Sequence, residues 1–420
     1  MNEATKQFAL AHADDDVRQL ALQGCRDANV DLTVSLQQIS GRQAARHKVP
    51  SWAAIDDIVY PVHLSMEQCS SEATARYKAR LMAGVLNLVS PAKPMSPYKK
   101  MIDLTGGFGI DFAFLCELFD EGVYVERDEA LCAIAHHNFQ LLSRPGSFSV
   151  VNAEAEEFLH RLEEHVTLIF LDPARRDGRG GRTYGISDCT PNVLPLLEEL
   201  LRKADYVLLK LSPMLDWRKA VSDVGREHVE QVHIVAMGGE CKELLMLLSA
   251  KGAVQPLLVC SNDDCQETFP LFGDSEAYMV NRANGLNITA ALEPHGPQKN
   301  CSFLYEPHAA LMKAGVFSEL AQRYGVTPLA PNSHLFIADM PVEGFPGRSF
   351  QIEDVSTMNK KELKEKVMPL SQANISVRNF PIGVDALRKK LKLNEGGSNY
   401  LFATTLSDGR HVIIICQKLL

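Results

Sequence analysis

Apolar residues recur every three or four positions through the first 95 residues, which predicts a helical opening segment. The clearest stretches are Asp15 to Asp27, Leu32 to Gly41 and Ser71 to Leu86, with turn signals at Asn29, Pro50 and Pro61. The run PAKPMSP at 91–97 reads as a linker, because repeated proline ends helices and cannot feed a central ladder. From Lys99 short apolar runs alternate with amphipathic stretches, the pattern of a parallel sheet covered by helices. Strands are predicted near 99–104, 122–126, 148–152, 166–171 and 204–211, and helices near 109–119, 128–143, 154–163, 190–202 and 216–225. VEQVHIVAM and ECKELLMLLS flank Gly238-Gly239 and predict an antiparallel hairpin closing this sheet. Beyond Val259 the text suggests a small α+β module ending near Pro328, its helix starting at Pro307 in the favoured first-turn position. A last module has predicted strands around 334–339, 348–354, 375–378, 400–405 and 411–417 and helices at 360–368 and 383–391. The expected domains are therefore 1–95, 96–260, 261–330 and 331–420.

The 420 residues are 46% hydrophobic and 23% charged, which excludes a wholly disordered, collagen-like or coiled-coil chain. The N-terminus, MNEATKQFALAHADDD, carries acids where an export signal needs a basic start and an apolar run. Stretches such as Tyr206 to Leu211 are far short of the ~20 residues that span a bilayer, so a cytoplasmic protein without a membrane partner is expected. Ten cysteines lie mostly in apolar segments and are expected to be free. Cys260 and Cys265 lack the second pair that zinc would need, so no metal is expected. The formal charge of −9 is uneven: Pro331 to Leu420 holds 12 basic and 9 acidic side chains, a net of +3 against −12 elsewhere.

The most informative string is MIDLTGGFGIDF, an apolar strand ending in Asp103 that runs through Thr105, Gly106, Gly107, Phe108 and Gly109 into a helix. Glycines at such a turn let the backbone approach a ligand closely. A dinucleotide fingerprint fails because Phe112 stands where its third glycine belongs, and a P-loop fails because no Gly-Lys-Ser/Thr follows. An acid before a Gly-rich turn without phosphate-binding features suits a cationic nucleoside, S-adenosylmethionine. Glu126 ends the next strand, where a carboxylate can accept from both ribose hydroxyls, and Asn152, Ala153 and Glu154 end the third, a position for the adenine edge. Glu154 can equally cap the following helix. The fourth strand delivers Asp172-Pro173-Ala174-Arg175, where Asp172 can orient an acceptor amine and Pro173 stiffens the turn. Arg175, Arg176, Arg179 and Arg182 then form either a cationic loop over phosphates or a solvated surface loop.

Several residues keep two readings. Lys210 either stays charged beside Asp172 or edges the sheet, and Glu240, Lys242 and Glu243 either line the pocket mouth or are solvated. His136 and His137 face different directions and are read as surface residues, and SEATARYKA around Tyr77 is read mainly as helix packing. Arg378, Arg388, Lys389, Lys390 and Lys392 either track an RNA backbone or form an ordinary helix C-terminus.

Residues 99–250 resemble the class I S-adenosylmethionine-dependent methyltransferases: DLTGGFG looks like their first motif, YVERD, which includes Arg127, like the second, VVNAEAEEF like the third and LDPAR like the fourth. Thr105 departs from the commoner glycine, as in many nucleic-acid methyltransferases. MEQCSSEATARYKA, DPARR, GGECKEL and the final residues resemble bacterial methyltransferases with a ferredoxin-like module and a THUMP-like C-terminal domain. The resemblance implies an α/β fold: a Rossmann-like methyltransferase sheet with an N-terminal helical domain and C-terminal α+β modules. It also implies methyl transfer to a base in structured RNA, tRNA or rRNA. Alternatives are a small-molecule or protein acceptor, and a non-catalytic RNA-binding protein. Exocyclic-amine enzymes carry a second proline and an aromatic ring where this chain has Ala174 and Arg175, which leaves the acceptor open. The string is also similar to that of uracil-C5 enzymes, but KLSP at 210–213 supplies no nucleophilic cysteine.

Overall fold

A computed structural model describes residues 1–88, 98–142, 146–175, 185–272 and 303–419. The chain divides into two compact units, Met1–Val232 with Lys242–Pro256, and His233–Cys241 with Leu257–Leu420. The predicted 91–97 linker lies outside the described residues.

The first unit opens with helices α1 (Glu3–Ala11), α2 (Val17–Gln23), α3 (Leu32–Lys48), α4 (Pro50–Ala53), α5 (His63–Gln68) and α6 (Glu72–Leu88). Asn2, Asp16 and Asp31 cap the first three, their side-chain oxygens accepting from backbone amides of the first turn. Strand and helix then alternate: β1 (Lys100–Asp103), α7 (Ile110–Leu115), β2 (Glu121–Glu126), α8 (Glu129–Leu141), β3 (Ser147–Asn152), α9 (Ala155–Arg161) and β4 (Val166–Leu171). Two short strands not anticipated, β5 (Ala174–Arg175) and β6 (Cys189–Thr190), pair antiparallel after the DPAR string. They are followed by α10 (Val193–Lys203), β7 (Ala204–Leu211), α11 (Trp217–Val224), β8 (Val229–Met237) and β9 (Glu240–Leu248). Gly238 and Gly239, both at positive φ, make the β8–β9 turn.

Within this unit the strands run β9-β7-β4-β1-β2-β3, with β9 antiparallel to β7 and the others parallel. All six residues of β4 are buried, as a strand covered on both faces requires. The order reverses between β1 and β4, so the crevice outside their carboxyl ends is the place where such sheets bind ligands. Asp103 and Asp172 stand there.

The second unit takes in the greater part of β8, from His233, and continues with the hairpin β10 (Leu257–Asn262) and β11 (Cys265–Pro270). Its larger sheet comprises β12 (Phe303–Pro307), β13 (Thr327–Pro328), β14 (Phe336–Ala338), β15 (Gly347–Thr357), β16 (Asn374–Arg378), β17 (Asn399–Thr405) and β18 (His411–Lys418), ordered β13-β14-β12-β15-β18-β17-β16. Apolar alternation buries both faces: Phe402, Val412 and Ile414 join one core, and Leu401, Ala403, Ile413 and Ile415 the other.

Two expectations need correction. Pro307 does not start a helix; it pairs with Gly347 at the end of β12, and the helix runs Ala309–Ala314 behind a His308 cap. The helix predicted at 360–368 is regular only over Lys360–Glu362, then opens into a π turn at Leu363–Val367 and a tight turn at Met368–Leu370. Pro369, which lacks an N–H, stands inside that last turn.

Candidate active site

The Gly-rich turn after β1 is built by its own side chains. Asp103, 1% exposed, accepts the Thr105 amide at 2.9 Å. The Thr105 hydroxyl accepts the Asp172 amide at 2.6 Å, fastening the first turn to the fourth. Gly106 donates to the Val125 carbonyl at 2.9 Å, and a Cβ there would lie 2.1 Å from the ring of buried Tyr124. Gly107, at φ +54°, donates to Glu126 Oε2 at 2.9 Å, and its carbonyl accepts the Tyr124 hydroxyl at 2.5 Å. Gly109, at φ +85°, opens α7, and a Cβ on it would strike Phe139 at 2.6 Å. These glycines answer specific backbone demands.

Glu126 takes the Asp128 amide on its other oxygen, Oε1, at 3.0 Å, so both oxygens are fixed and each keeps acceptor capacity. Arg127 is exposed. The Asn152 amide group donates to the carbonyls of Glu126 and Arg127, each at 3.0 Å, and pins that turn. The Ala153 amide donates to the Glu126 carbonyl at 3.2 Å. Glu154 is the N-cap residue of α9 but makes no side-chain capping bond.

At the fourth turn Asp172 meets Lys210 Nζ at 2.5 Å, which decides between the two readings of that lysine. The Asp172 side chain is 35% exposed and Lys210 11%, so the carboxylate is the more accessible member of the pair. Pro173 is buried, and Arg175 contributes its backbone to β5. Arg176, Arg179 and Arg182 lie outside the described residues.

Three residues without a functional reading in the sequence, Lys78, Asp111 and Ser70, join Glu243 to complete the charge pattern. Lys78, fully buried on α6, lies 2.5 Å from Glu243 and 3.1 Å from Asp111. Ser70 donates to Asp111 at 2.6 Å and lies 3.3 Å from Glu243. Asp111 in turn lies 3.7 Å from Lys210. One signal was available in the sequence: a lone carboxylate inside IDFAFL, whose other five residues are all apolar. Lys78 sits in the segment read mainly as packing; of the three hairpin charges with two readings, Glu243 is buried beside Lys78, and Glu240 and Lys242 are exposed.

Burial pushes the Asp103 carboxyl well above the carboxylate range, and Asp111, Asp172 and Glu126 add to the rise. Burial likewise raises Asp172, with Asp111 and Glu243 adding to it, although Lys210 opposes the shift. For Asp111 the Lys78 and Lys210 ammoniums outweigh burial and hold it below the usual range. Around the switch point, acids therefore exceed cations. A ligand bearing a sulfonium and an ammonium fits that imbalance, and the open side of Gly107, where an added Cβ would meet nothing nearer than Thr105 O at 3.9 Å, leaves room for it.

Other candidates fall elsewhere. His137 bonds the Asp57 carbonyl at 2.9 Å, and Trp52 packs edge-on to Phe108 at 5.1 Å, so the N-terminal helices brace the Gly-rich turn and α8. Arg378 pairs with Glu306 at 2.7 Å, and Arg388 donates to the Ala373 and Asn394 carbonyls; Lys389, Lys390 and Lys392 are exposed. Cys260 is buried and Cys265 exposed, and among the described residues no three His, Cys, Asp or Glu side chains are grouped to hold a metal. Among the same residues no helix is long and apolar enough to cross a membrane.

Comparison with known families matches residues 303–346 to a ferredoxin-like domain and residues 347–418 to a THUMP domain-like family. Comparison with curated proteins gave no sequence match. Among solved structures, a "putative methyltransferase" from Porphyromonas gingivalis is 32% identical, covering 99% of this chain and 98% of its own, with a TM-score of 0.80. An rRNA methylase from Streptococcus thermophilus is 14% identical over 42% of this chain and 95% of its own, at a TM-score of 0.30. TrmK from M. capricolum, in complex with the cofactor product S-adenosyl-homocysteine, is 11% identical over 53% of this chain and 88% of its own, at a TM-score of 0.31. The near-complete match to the P. gingivalis protein, with both C-terminal modules present, places the chain in its family: it belongs to the class I S-adenosylmethionine-dependent methyltransferases that carry a ferredoxin-like module and a THUMP-like domain.

Proposed function

We propose that this protein methylates a base in structured RNA, tRNA or rRNA, presented by the C-terminal modules. One observation carries the reading: the Thr105–Asp172 bond at 2.6 Å ties the Gly-rich turn to the DPAR turn at the switch point. A nucleoside against the first and an acceptor against the second would then be neighbours. When bound, S-adenosylmethionine supplies an electrophilic methyl carbon on a sulfonium. Asp103 would offset its positive charge, Glu126 would accept from its ribose, and the open side of Gly107 would receive it on a turn that Thr105, Gly106 and Gly109 hold in shape. Arg127, Asn152, Ala153 and Glu154 would border the adenine. On the other side Asp172, held by Pro173 and assisted by Arg175, would accept a hydrogen bond from the base and fix its attacking atom. Alignment near ~3 Å supplies most of what such a displacement needs, so orientation dominates.

The RNA part rests on the THUMP domain-like match at 347–418 and on the exposed lysines 389, 390 and 392. The four-part division at 95, 260 and 330 belongs to the same reading. Mass spectrometry of RNA nucleosides from cells with and without the gene should reveal one missing methylated nucleoside, restored by the wild-type chain and not by Asp172→Ala. Transfer of labelled methyl groups only to proteins or metabolites would reject the RNA acceptor.

A further inference from the structure

The acids and lysines beneath Asp172 form an alternating chain. Glu243 meets Lys78 at 2.5 Å, Lys78 meets Asp111 at 3.1 Å, Asp111 lies 3.7 Å from Lys210, and Lys210 meets Asp172 at 2.5 Å. Three carboxylates share two ammoniums, and only the Asp172 end is open, with 35% of its side chain exposed against 9%, 4% and 0% for Asp111, Glu243 and Lys78. A buried ion-pair chain is a poor stabilising device, because apolar residues of similar volume usually hold a core as well or better. Its placement under a single accessible carboxylate calls for another account.

Resting on the reading of Asp172 as the acceptor-orienting group, we propose that Lys78, delivered by α6 of the helical N-terminal segment, is a positioning residue for Asp172. By engaging Asp111 and Glu243 it leaves Lys210 committed to Asp172. Lys210 touches both Asp172 and Asp111 and can serve the first fully only while the second is neutralised elsewhere. Ser70 reaches both Asp111 and Glu243, but one hydroxyl proton cannot satisfy two carboxylates. Without the Lys78 charge, Asp111 and Glu243 would draw on Lys210 and add uncompensated negative charge near Asp172. The charged groups facing Asp172 are Lys210 from β7, Asp111 from α7, Glu243 from β9 and Asp103 from β1. Their sum without Lys78 favours the protonated form of Asp172, which accepts from a base amine far more weakly than the carboxylate and presents an O–H donor in its place. The N-terminal helices would thereby belong to the working site.

The test follows Asp172 directly, by carboxyl 13C NMR of aspartate-labelled full-length protein, its signal identified by loss in Asp172→Asn. Lys78→Met should move the Asp172 titration upward by about one pH unit, and the acidic limb of methyl transfer to cellular RNA should move with it, so that the rate falls roughly tenfold on that limb. Glu243→Gln should move the titration the other way, because it removes a negative neighbour. Binding of S-adenosylhomocysteine reports folding of each variant. A folded Lys78→Met with an unmoved Asp172 titration overturns the proposal; should that variant not fold, an unmoved or upward titration in Glu243→Gln does the same. Wild-type activity in Asp172→Asn would instead reject the assigned role of Asp172, a failure distinct from either.

Discussion

Both units bury a carboxylate among other charges, but with opposite balance. In the second unit Glu306, whose side chain is 4% exposed, receives two arginines: Arg348 through Nε at 2.7 Å and again through Nη2, and Arg378 at 2.7 Å. Every acid in that group is answered. At the switch point of the first unit, Asp103, Asp111, Asp172, Glu126 and Glu243 face Lys78 and Lys210. A matched cluster is architecture; an excess of one sign at a strand-end crevice is a place for a ligand of the other sign. That difference can be broken or sharpened by substitution.

The largest effect is expected at Gly106. A Cβ would sit 2.1 Å from a Tyr124 ring that is itself fully buried and bonded to Gly107, so Gly106→Val must displace the turn. Calorimetry should show S-adenosylhomocysteine binding weakened by at least about 100-fold, equivalent to ~2.7 kcal/mol. Unchanged binding would mean that the cofactor lies elsewhere. Next comes the matched cluster: Glu306→Gln removes the charge that two arginines answer. Because those arginines are 44% and 36% exposed they can turn to water, and the loss should be limited to about 1–2 kcal/mol in the thermal unfolding of the second unit. Cofactor affinity should not change. If it falls, the contrast between the two clusters is wrong.

The unmatched cluster should respond with the opposite sign. Asp103→Asn keeps an acceptor for the Thr105 amide while removing a buried charge, so the ligand-free protein should gain roughly 1 kcal/mol at pH 7. Its affinity for S-adenosylmethionine should drop about tenfold. The pH dependence follows from a folded carboxyl raised above its unfolded value of ~3.9. The native state binds more protons between the two values, so wild-type stability declines as pH rises through that window, and the gain from Asp103→Asn vanishes below it. A destabilised Asp103→Asn protein would show that the carboxylate is already satisfied without a ligand.

The two clusters also differ in how much of them the sequence announces. The strands of the parallel sheet are continuous apolar runs because both faces are covered, and the glycines and strand-end acids follow in fixed local order, so the Asp103, Glu126 and Asp172 positions were legible. The Lys78 network was not, because its members lie 165 and 33 positions from their partners, and pairing at such separations leaves no local pattern. The pairing of Arg378 was hidden for the same reason: its partner Glu306 is 72 residues away. Pro307 misled through a local rule, since proline suits a helix start and a strand end alike.

The smallest effect separates bonded from exposed cations within the second unit itself. Lys389 and Lys390 project from the exposed end of the helix Val384–Leu391, whereas Arg388 beside them donates to two backbone carbonyls. If the lysines contact RNA phosphates, Lys389→Ala should weaken binding of bulk cellular RNA only a few-fold at 100 mM salt. The slope of log affinity against log salt should become shallower by roughly 0.7–0.9, the share of one phosphate. Arg378→Lys retains the charge and can still reach Glu306, so it should leave the slope unchanged. A slope insensitive to Lys389 and Lys390 but sensitive to Arg378 would mean that RNA competes with Glu306 for its arginines, and that the cluster taken here as architecture is itself the nucleic-acid contact.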